Sequence, residues 1–302
     1  MIIRDWMLYL ILFLIIMITI GGYMSYHTMN PKTWTHEDAY KYEVDNNLFN
    51  IDEYKTYEKE VVLLKSDYKY NLYGEYYSNG SSKTIILCHG YGYNMIGSIK
   101  YIKIFRDLGF NTLIYDHRYH GKSGGKSVTF GYVEKRDLAK WVDWISDRVP
   151  NGVIGTHGVS MGGATVIQHA AIDSRVSFVI ADCPYEDVYK EVKYITKRDY
   201  VVPTFLAVYV SSFYSLVRGG GLYSQISPIK VVNTFQAPIL LIHGKDDKYI
   251  LPSHTVNLYN KRFKDKELYL VEDAKHAKAY QEDKEEYTNR VYSFLTKYKI
   301  IN

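Results

Sequence analysis

The sequence predicts an α/β chain: a doubly wound, mainly parallel sheet with a helical insertion over the strand ends, preceded by one apolar helix. Three observations carry that expectation. Short apolar runs alternate with stretches of helical periodicity from about Val61 to Tyr298. The glycine-rich turns fall where the apolar runs stop, and open sheets gather their ligands at the carboxyl ends of strands. Residues 6–26 form an uncharged apolar block set apart from everything after it.

That block comes first in the chain. No residue between Asp5 and His27 is charged, and Trp6 to Met17 is almost wholly apolar. Extended through Gly21 and Gly22 to Tyr26, it is long enough for about 30 Å of helix, the thickness of a hydrocarbon core. Trp6, Tyr23 and Tyr26 stand where interfacial aromatics belong. A cleaved signal peptide is the competing reading, but the region offers no small-x-small cleavage site and no lipobox cysteine. Residues 1–26 are therefore expected to be a retained, single-pass cell-membrane anchor. Arg4 is offset by Asp5, and only Lys32 and Lys41 lie near the other end, so the positive-inside count leaves orientation open. An extracytoplasmic catalytic domain is the expectation. Residues 27–58 are polar and broken by Asn30-Pro31, which suggests a membrane-proximal linker with one short helix.

Residues 59–302 then carry the sheet. Glu60–Lys65 and Tyr70–Tyr77 read as an antiparallel hairpin at one edge, and Asn79-Gly80-Ser81-Ser82 turns the chain into the strand Thr84–Cys88. A helix over Ile96–Leu108 leads to the strand Thr112–Tyr115. A second helix, Val133–Arg148, has Leu138, Trp141, Val142 and Ile145 at core spacing and leads to the strand before Ser160. Strands follow at Val176–Ile180, Pro238–Ile242 and Glu267–Val271, with helices near Thr255–Phe263 and Glu282–Tyr298. One long interval, residues 184–236, breaks the alternation. A structureless loop of that length is improbable, so a helical cap insertion is expected, with most of its apolar residues packing it onto the body and the rest lining a pocket.

Composition narrows the chemistry. A chain of 302 residues can bury a substantial core, and its net charge of +4 is dispersed without a long basic run, which argues against a nucleic-acid partner. The 32 tyrosines are scattered and read as compositional drift. Cys88 and Cys183 each end an interior strand and read as small buried residues. His117 and His120 are close, yet no third ligand is spaced to join them, so neither a metal nor a cofactor is expected.

The stretch with most chemical content is Gly158-Val159-Ser160-Met161-Gly162-Gly163, between an apolar run and the helical stretch from Ala164 to Ala171. A serine in a sharp strand-to-helix turn has its hydroxyl lifted clear of the backbone, and glycines flank it because side chains would collide across the bend. Serine is a poor nucleophile at neutral pH and needs a base, an orienting acid and amide donors for an oxyanion. Other strand ends supply candidates. His243-Gly244-Lys245-Asp246-Asp247 offers the acid, with Asp247 chosen for its spacing and Asp246 as the alternative; His276, in the loop after the last strand, offers the base. His89, His157 and His243 each precede glycine in turns, where a structural role is expected. The backbone amides of Met161, after the serine, and of Tyr91, in His89-Gly90-Tyr91-Gly92, are the expected oxyanion donors.

Taken together these motifs resemble the α/β-hydrolase superfamily, and more closely its membrane-anchored bacterial serine hydrolases. Besides the segments above, the likeness rests on Asp116-His117-Arg118-Tyr119-His120-Gly121 and on Ala274-Lys275-His276. Tyr119 stands where glycine is usual in that segment, which the resemblance marks as architectural; Leu251 stands where proline is frequent. The resemblance implies the α/β-hydrolase fold and an acyl-enzyme on Ser160, His276 and Asp247. A carboxylic ester with a short to medium or lipid-like acyl group is the expected substrate. Rival readings are a peptidase or amidase, an acyltransferase, and a non-catalytic membrane-tethered binding protein; the last would be expected to lose the nucleophile or base, and neither is missing.

Overall fold

The computed structural model of the chain describes residues 2–302. Eight strands, β1 (Glu60–Lys65), β2 (Asn71–Tyr77), β3 (Lys83–Cys88), β4 (Asn111–Tyr115), β5 (Val153–Val159), β6 (Val176–Asp182), β7 (Ile239–Gly244) and β8 (Lys266–Val271), make one sheet. Their order is β1-β2-β4-β3-β5-β6-β7-β8. Strand β2 runs antiparallel to both its neighbours, and every later pair is parallel. Burial follows this arrangement. Edge strand β1 hides Val62 and exposes Val61 and Leu63, whereas β4 and nearly all of β3 are buried, as strands covered on both faces must be.

Twelve helices are described: α1 (Ile2–Met29), α2 (His36–Asp45), α3 (Ile51–Lys55), α4 (Ile99–Asp107), α5 (Glu134–Arg148), α6 (Met161–Ala170), α7 (Val188–Asp199), α8 (Thr204–Val217), α9 (Pro228–Val231), α10 (Pro252–Lys261), α11 (Ala279–Glu282) and α12 (Lys284–Lys297). The alternation of side chains along the strands sorts the core into two layers. Ile85, Leu87, Ile114 and Ile180 point to the layer closed by Phe105 of α4 and Phe294 of α12. Ile86, Leu113 and Val179 point to the layer closed by Leu138 and Trp141 of α5 and Val166 of α6. Trp141 is fully buried, and a Cβ at Gly74 of β2 would lie 2.8 Å from its ring, so the bare glycine is the seat of the indole.

Two segments outside the sheet differ from a simple tether and cap. Residues 27–58, expected as a linker with one short helix, hold both α2 and α3 and lie against the body. Their polar average hides an apolar face: Ala39 and Leu48 are buried, and Thr35 and Asn50 cap the two helices by accepting from backbone amides. Between β6 and β7 the chain forms α7, α8 and α9, with Asp187 capping α7. The segment Asp5–Met29 of α1 is long and apolar enough to cross a membrane by length and composition. Its last turns pack against α8 and bury Met17, Met24 and Met29.

Removing the indole that rests on Gly74 should leave a cavity in the α5 layer. Trp141→Ala is expected to destabilise the fold by about 3–5 kcal/mol, read as a lower midpoint in thermal or denaturant unfolding of the full chain in detergent.

Candidate active site

Ser160 closes β5 and precedes α6 with φ 58° and ψ −116°, a backbone conformation that a non-glycine residue rarely adopts. Its neighbours explain how the turn is held. A Cβ at Gly158 would lie 2.3 Å from the Gly162 carbonyl, and one at Gly162 would lie 2.2 Å from the Cys88 carbonyl of β3. No side chain fits at either place. The Ser160 amide donates to the Asp182 carbonyl at the end of β6, 2.8 Å away, and the Ala164 amide donates to the Ser160 carbonyl. The hydroxyl is thus raised at the meeting of three adjacent strand ends.

The structure brings the predicted acid and base to it. His276 Nε2 lies 2.9 Å from Ser160 Oγ, and His276 Nδ1 lies 2.7 Å from Asp247 Oδ2. With Nδ1–H donating to the carboxylate, Nε2 is left free to accept from the hydroxyl, the tautomer a base requires. Asp247 is buried while Asp246 is exposed, so of the two adjacent carboxylates it is Asp247 that meets His276. Asp247 Oδ1 accepts from the Tyr249 and Ile250 amides at 2.8 and 2.9 Å. Burial alone would raise its pKa, but hydrogen bonds from His243 and His276 outweigh it and hold the carboxyl well below the usual range.

His243, expected to be structural, is buried and makes a contact that spacing did not reveal: its Nε2 lies 3.1 Å from the same Asp247 oxygen that meets His276. Its other nitrogen lies 2.6 Å from Thr255 Oγ1, and Nε2 also approaches the Ile250 carbonyl at 2.9 Å. The only sequence signal was the four-residue offset from Asp247. His89 and His157 keep to internal roles: His89 Nε2 accepts from the His117 amide, and His157 meets Tyr287 Oη.

Met161 occupies the first position of α6, where the amide has no partner within the helix. Tyr91 follows Gly90, whose Cβ position would be 3.4 Å from Ser160 Cβ, so the β3 loop passes directly beside the serine. The Tyr91 ring is turned away: its hydroxyl donates to the Thr28 carbonyl at 2.8 Å and its face stacks on Phe130. The two expected amide donors therefore lie at the start of α6 and in the loop after β3, both next to Ser160.

A cavity of about 490 Å³ opens beside Ser160 and His276. Its walls correct the expectation that the insertion would line it. Trp34, Tyr42, Tyr93 and Tyr101 form them instead, with Glu43, Lys100 and Lys278. The stretch Lys32–Glu43 is strapped over the β3 loop: the Trp34 amide donates to the Gly92 carbonyl, and Asn94 Nδ2 donates to the Trp34 and Thr35 carbonyls, each at 3.0 Å. The segment Asp116–Gly121 is architectural here. Asp116 is buried, accepts from the Met95 and Lys122 amides and meets His36 Nε2 at 2.8 Å. Tyr119, which replaces a usual glycine, takes φ 67°.

Cys183 brings its sulfur within 4.8 Å of donor atoms of Asp247 and His276. Burial and the nearby Asp182 push the thiol well above its ordinary value, and the other two groups are engaged with each other. The arrangement suits proton transfer along a hydrogen-bonded row better than ion binding.

Asp182 itself is buried at the end of β6, and burial pushes its carboxyl up to about 6. A folded-state value above the unfolded one means that folded protein holds the proton more tightly, so stability falls as pH rises through the interval and stays reduced above it. Asp182→Asn should remove that cost: little difference from the parent below pH ~4, and a gain of up to about 3 kcal/mol above pH ~6. Unfolding midpoints measured across pH would check this; a variant equally destabilised at every pH would contradict it.

Comparison with other proteins agrees with this architecture. Residues 83–219 match the family described as alpha/beta hydrolase fold. The uncharacterized protein YqkD of Bacillus subtilis is 36% identical over 282 residues, covering 92% of each chain. The thiohydrolase aneE of Aspergillus aculeatus is 28% identical over 209 residues, 65% of this chain and 62% of its own. Among solved structures, the Pyrococcus furiosus esterase Pf2001 superposes with a TM-score of 0.66 at 28% identity, covering 82% of this chain and 94% of the esterase. By its sheet, its motifs and these relatives, the chain belongs to the alpha/beta hydrolase fold family.

Proposed function

We propose that the chain is a serine hydrolase that cleaves carboxylic esters through an acyl-enzyme. The observation that carries this reading is the unbroken hydrogen-bonded row Ser160 Oγ–His276 Nε2, His276 Nδ1–Asp247 Oδ2. His276 takes the hydroxyl proton as Ser160 Oγ attacks the ester carbonyl. The Met161 and Tyr91 amides receive the developing oxyanion, each such donor being worth about 3 kcal/mol in the transition state. The tetrahedral species collapses, the ester C–O bond breaks, and His276 returns the proton to the departing alcohol. Water then repeats the sequence on the acyl-enzyme, releasing the acid and restoring Ser160. Asp247 stays ionised throughout and steadies the imidazolium.

The aromatic walls of the cavity favour an apolar group of short to medium length beside the serine. The esterase relative supports ester chemistry, and the thiohydrolase relative draws thioesters into the same acyl-enzyme scheme. The apolar helix α1 serves in this reading as a membrane anchor, which places lipid-like esters within reach.

Ser160→Ala and His276→Ala are each expected to lower ester turnover by about 10⁴-fold or more, and Ser160→Ala to abolish labelling by a fluorophosphonate probe. Persistence of turnover without the serine would refute the proposal. Matched ester, thioester and amide substrates rank the reaction classes, and an impermeant probe on intact cells reports which side of the membrane the serine faces.

A further inference from the structure

Helix α8 carries no charged residue over its 14 positions, and its surface divides into three faces. Ala207, Val208, Ser211 and Ser215 are buried. Val210 and Tyr214 meet α1, where a Cβ at Gly21 would fall 2.3 Å from Val210 Cγ1 and one at Gly22 would fall 2.8 Å from the Tyr214 ring. The two glycines thus let the helices approach closely. The third face holds Phe205, Tyr209, Phe213, Leu216 and Val217, with relative exposures of 63, 61, 60, 43 and 67%. Steps of three and four residues put them on one stripe. A lone exposed apolar side chain needs no explanation; five in a row on an uncharged helix do.

The position of the stripe says what covers it. Gly21 meets Val210, Gly22 meets Tyr214, and past the helix end Gly220 meets Met29, so α8 runs parallel to the last turns of α1. The surface of α1 continues the same character, with Leu12, Phe13, Ile16 and Ile18 exposed before the contact and Tyr23 and Tyr26 within it. At 14 residues α8 is about 21 Å long, too short to span a bilayer core of about 30 Å. Charged residues flank it: Arg198 and Asp199 beyond the uncharged stretch Tyr200–Pro203, and Arg218 directly after it. Arg218 donates to Asn30 Oδ1 at 2.6 Å and lies over the Tyr26 ring, at the base of α1. A short uncharged apolar helix packed parallel to a membrane-length helix has the pattern of a companion that dips into one leaflet beside it.

We infer that α8 is a second membrane contact: its Phe205–Val217 stripe is seated in the bilayer leaflet from which α1 emerges. The inference rests on α1 being the anchor. It assigns the β6–β7 insertion a role in holding the catalytic body against the lipid surface, in place of lining the cavity beside Ser160. Because Tyr91 donates to the Thr28 carbonyl at the end of α1, the serine loop sits at the foot of the same membrane-facing unit.

The test uses the full chain reconstituted into phosphatidylcholine vesicles with and without doxyl-labelled lipid. An environment-sensitive thiol probe is placed singly at Phe213→Cys, at Leu12→Cys on α1, and at Tyr292→Cys on the exposed side of α12. The native Cys88 and Cys183 are buried and stay unlabelled in the folded protein. The Phe213 probe should be quenched at least about twofold more than the Tyr292 probe. Quenching at Leu12 without quenching at Phe213 would leave the anchor standing and overturn the inference. Absence of quenching at both would overturn the two together. Energy transfer between labelled copies in place of lipid quenching would assign the stripe to a second copy and likewise overturn it. Fluorophosphonate labelling of Ser160 checks that each variant is folded, and Phe205→Cys carries the same test if Phe213→Cys fails that check.

Discussion

The close passage of backbone at Ser160 is the constraint on which the rest of the site depends. Gly162 presses against the Cys88 carbonyl and Gly158 against the Gly162 carbonyl, with no room for a side chain at either. Strands β3 and β5 must therefore be neighbours, and α6 must leave β5 over the end of β3. A serine with φ 58° costs on the order of 1–3 kcal/mol, tolerable only where the surroundings impose it. Here the imposition comes from the Asp182 carbonyl on one side and the first turn of α6 on the other. The same crowding brings Gly90 and Tyr91 beside the hydroxyl, so the strain that exposes the serine also sets the distance to the loop facing it.

Beside that point one buried carboxylate gathers four partners. Asp247 receives two backbone amides on one oxygen and two histidines on the other. Four partners explain why a buried acid stays ionised, and why its oxygen keeps a fixed aim at His276. His243 is in turn tied to Thr255 of α10, so the orientation of the acid is shared by β7, α10 and the loop between them. An isolated Asp–His pair on a surface loop would lack that rigidity.

The amino-terminal segment that precedes β1 is part of the same construction. Residues 27–58 lie between α1 and the sheet, yet Trp34 and Tyr42 wall the cavity beside the serine and Asn94 is bound to the strap backbone. The end of α1 is fastened twice more, by Tyr91 at Thr28 and by the Val128 amide at the Met29 carbonyl. Helix α1, the strap and the loop after β3 thus share hydrogen bonds. Packing of α1 on α8 adds the β6–β7 insertion to this unit, and the Phe205–Val217 stripe of α8 faces outward, away from the cavity.

Much of this was legible in the chain itself, for local reasons. Runs such as Thr84–Cys88 and Pro238–Ile242 announce buried parallel strands because a strand covered on both faces admits little else. Gly158-x-Ser160-x-Gly162 announces its turn because the steric demand falls within five residues. Ser160, Asp247 and His276 were nameable because each stands next to such a strand end, and the uncharged block at residues 6–26 needs only length and composition to be seen. Tertiary contact alone decided the rest. It set the buried Asp247, not the exposed Asp246, against His276, joined His243 to the same carboxylate, and made Trp34 and Tyr42 a cavity wall out of a stretch that reads as a polar tether. It also turned one face of α8 toward α1 and left another bare. Apart from the His243–Asp247 pair, which lies within one short turn, those outcomes depend on side chains separated by tens to hundreds of residues, and a contact across such a distance leaves no periodicity or spacing in the sequence by which it could be read.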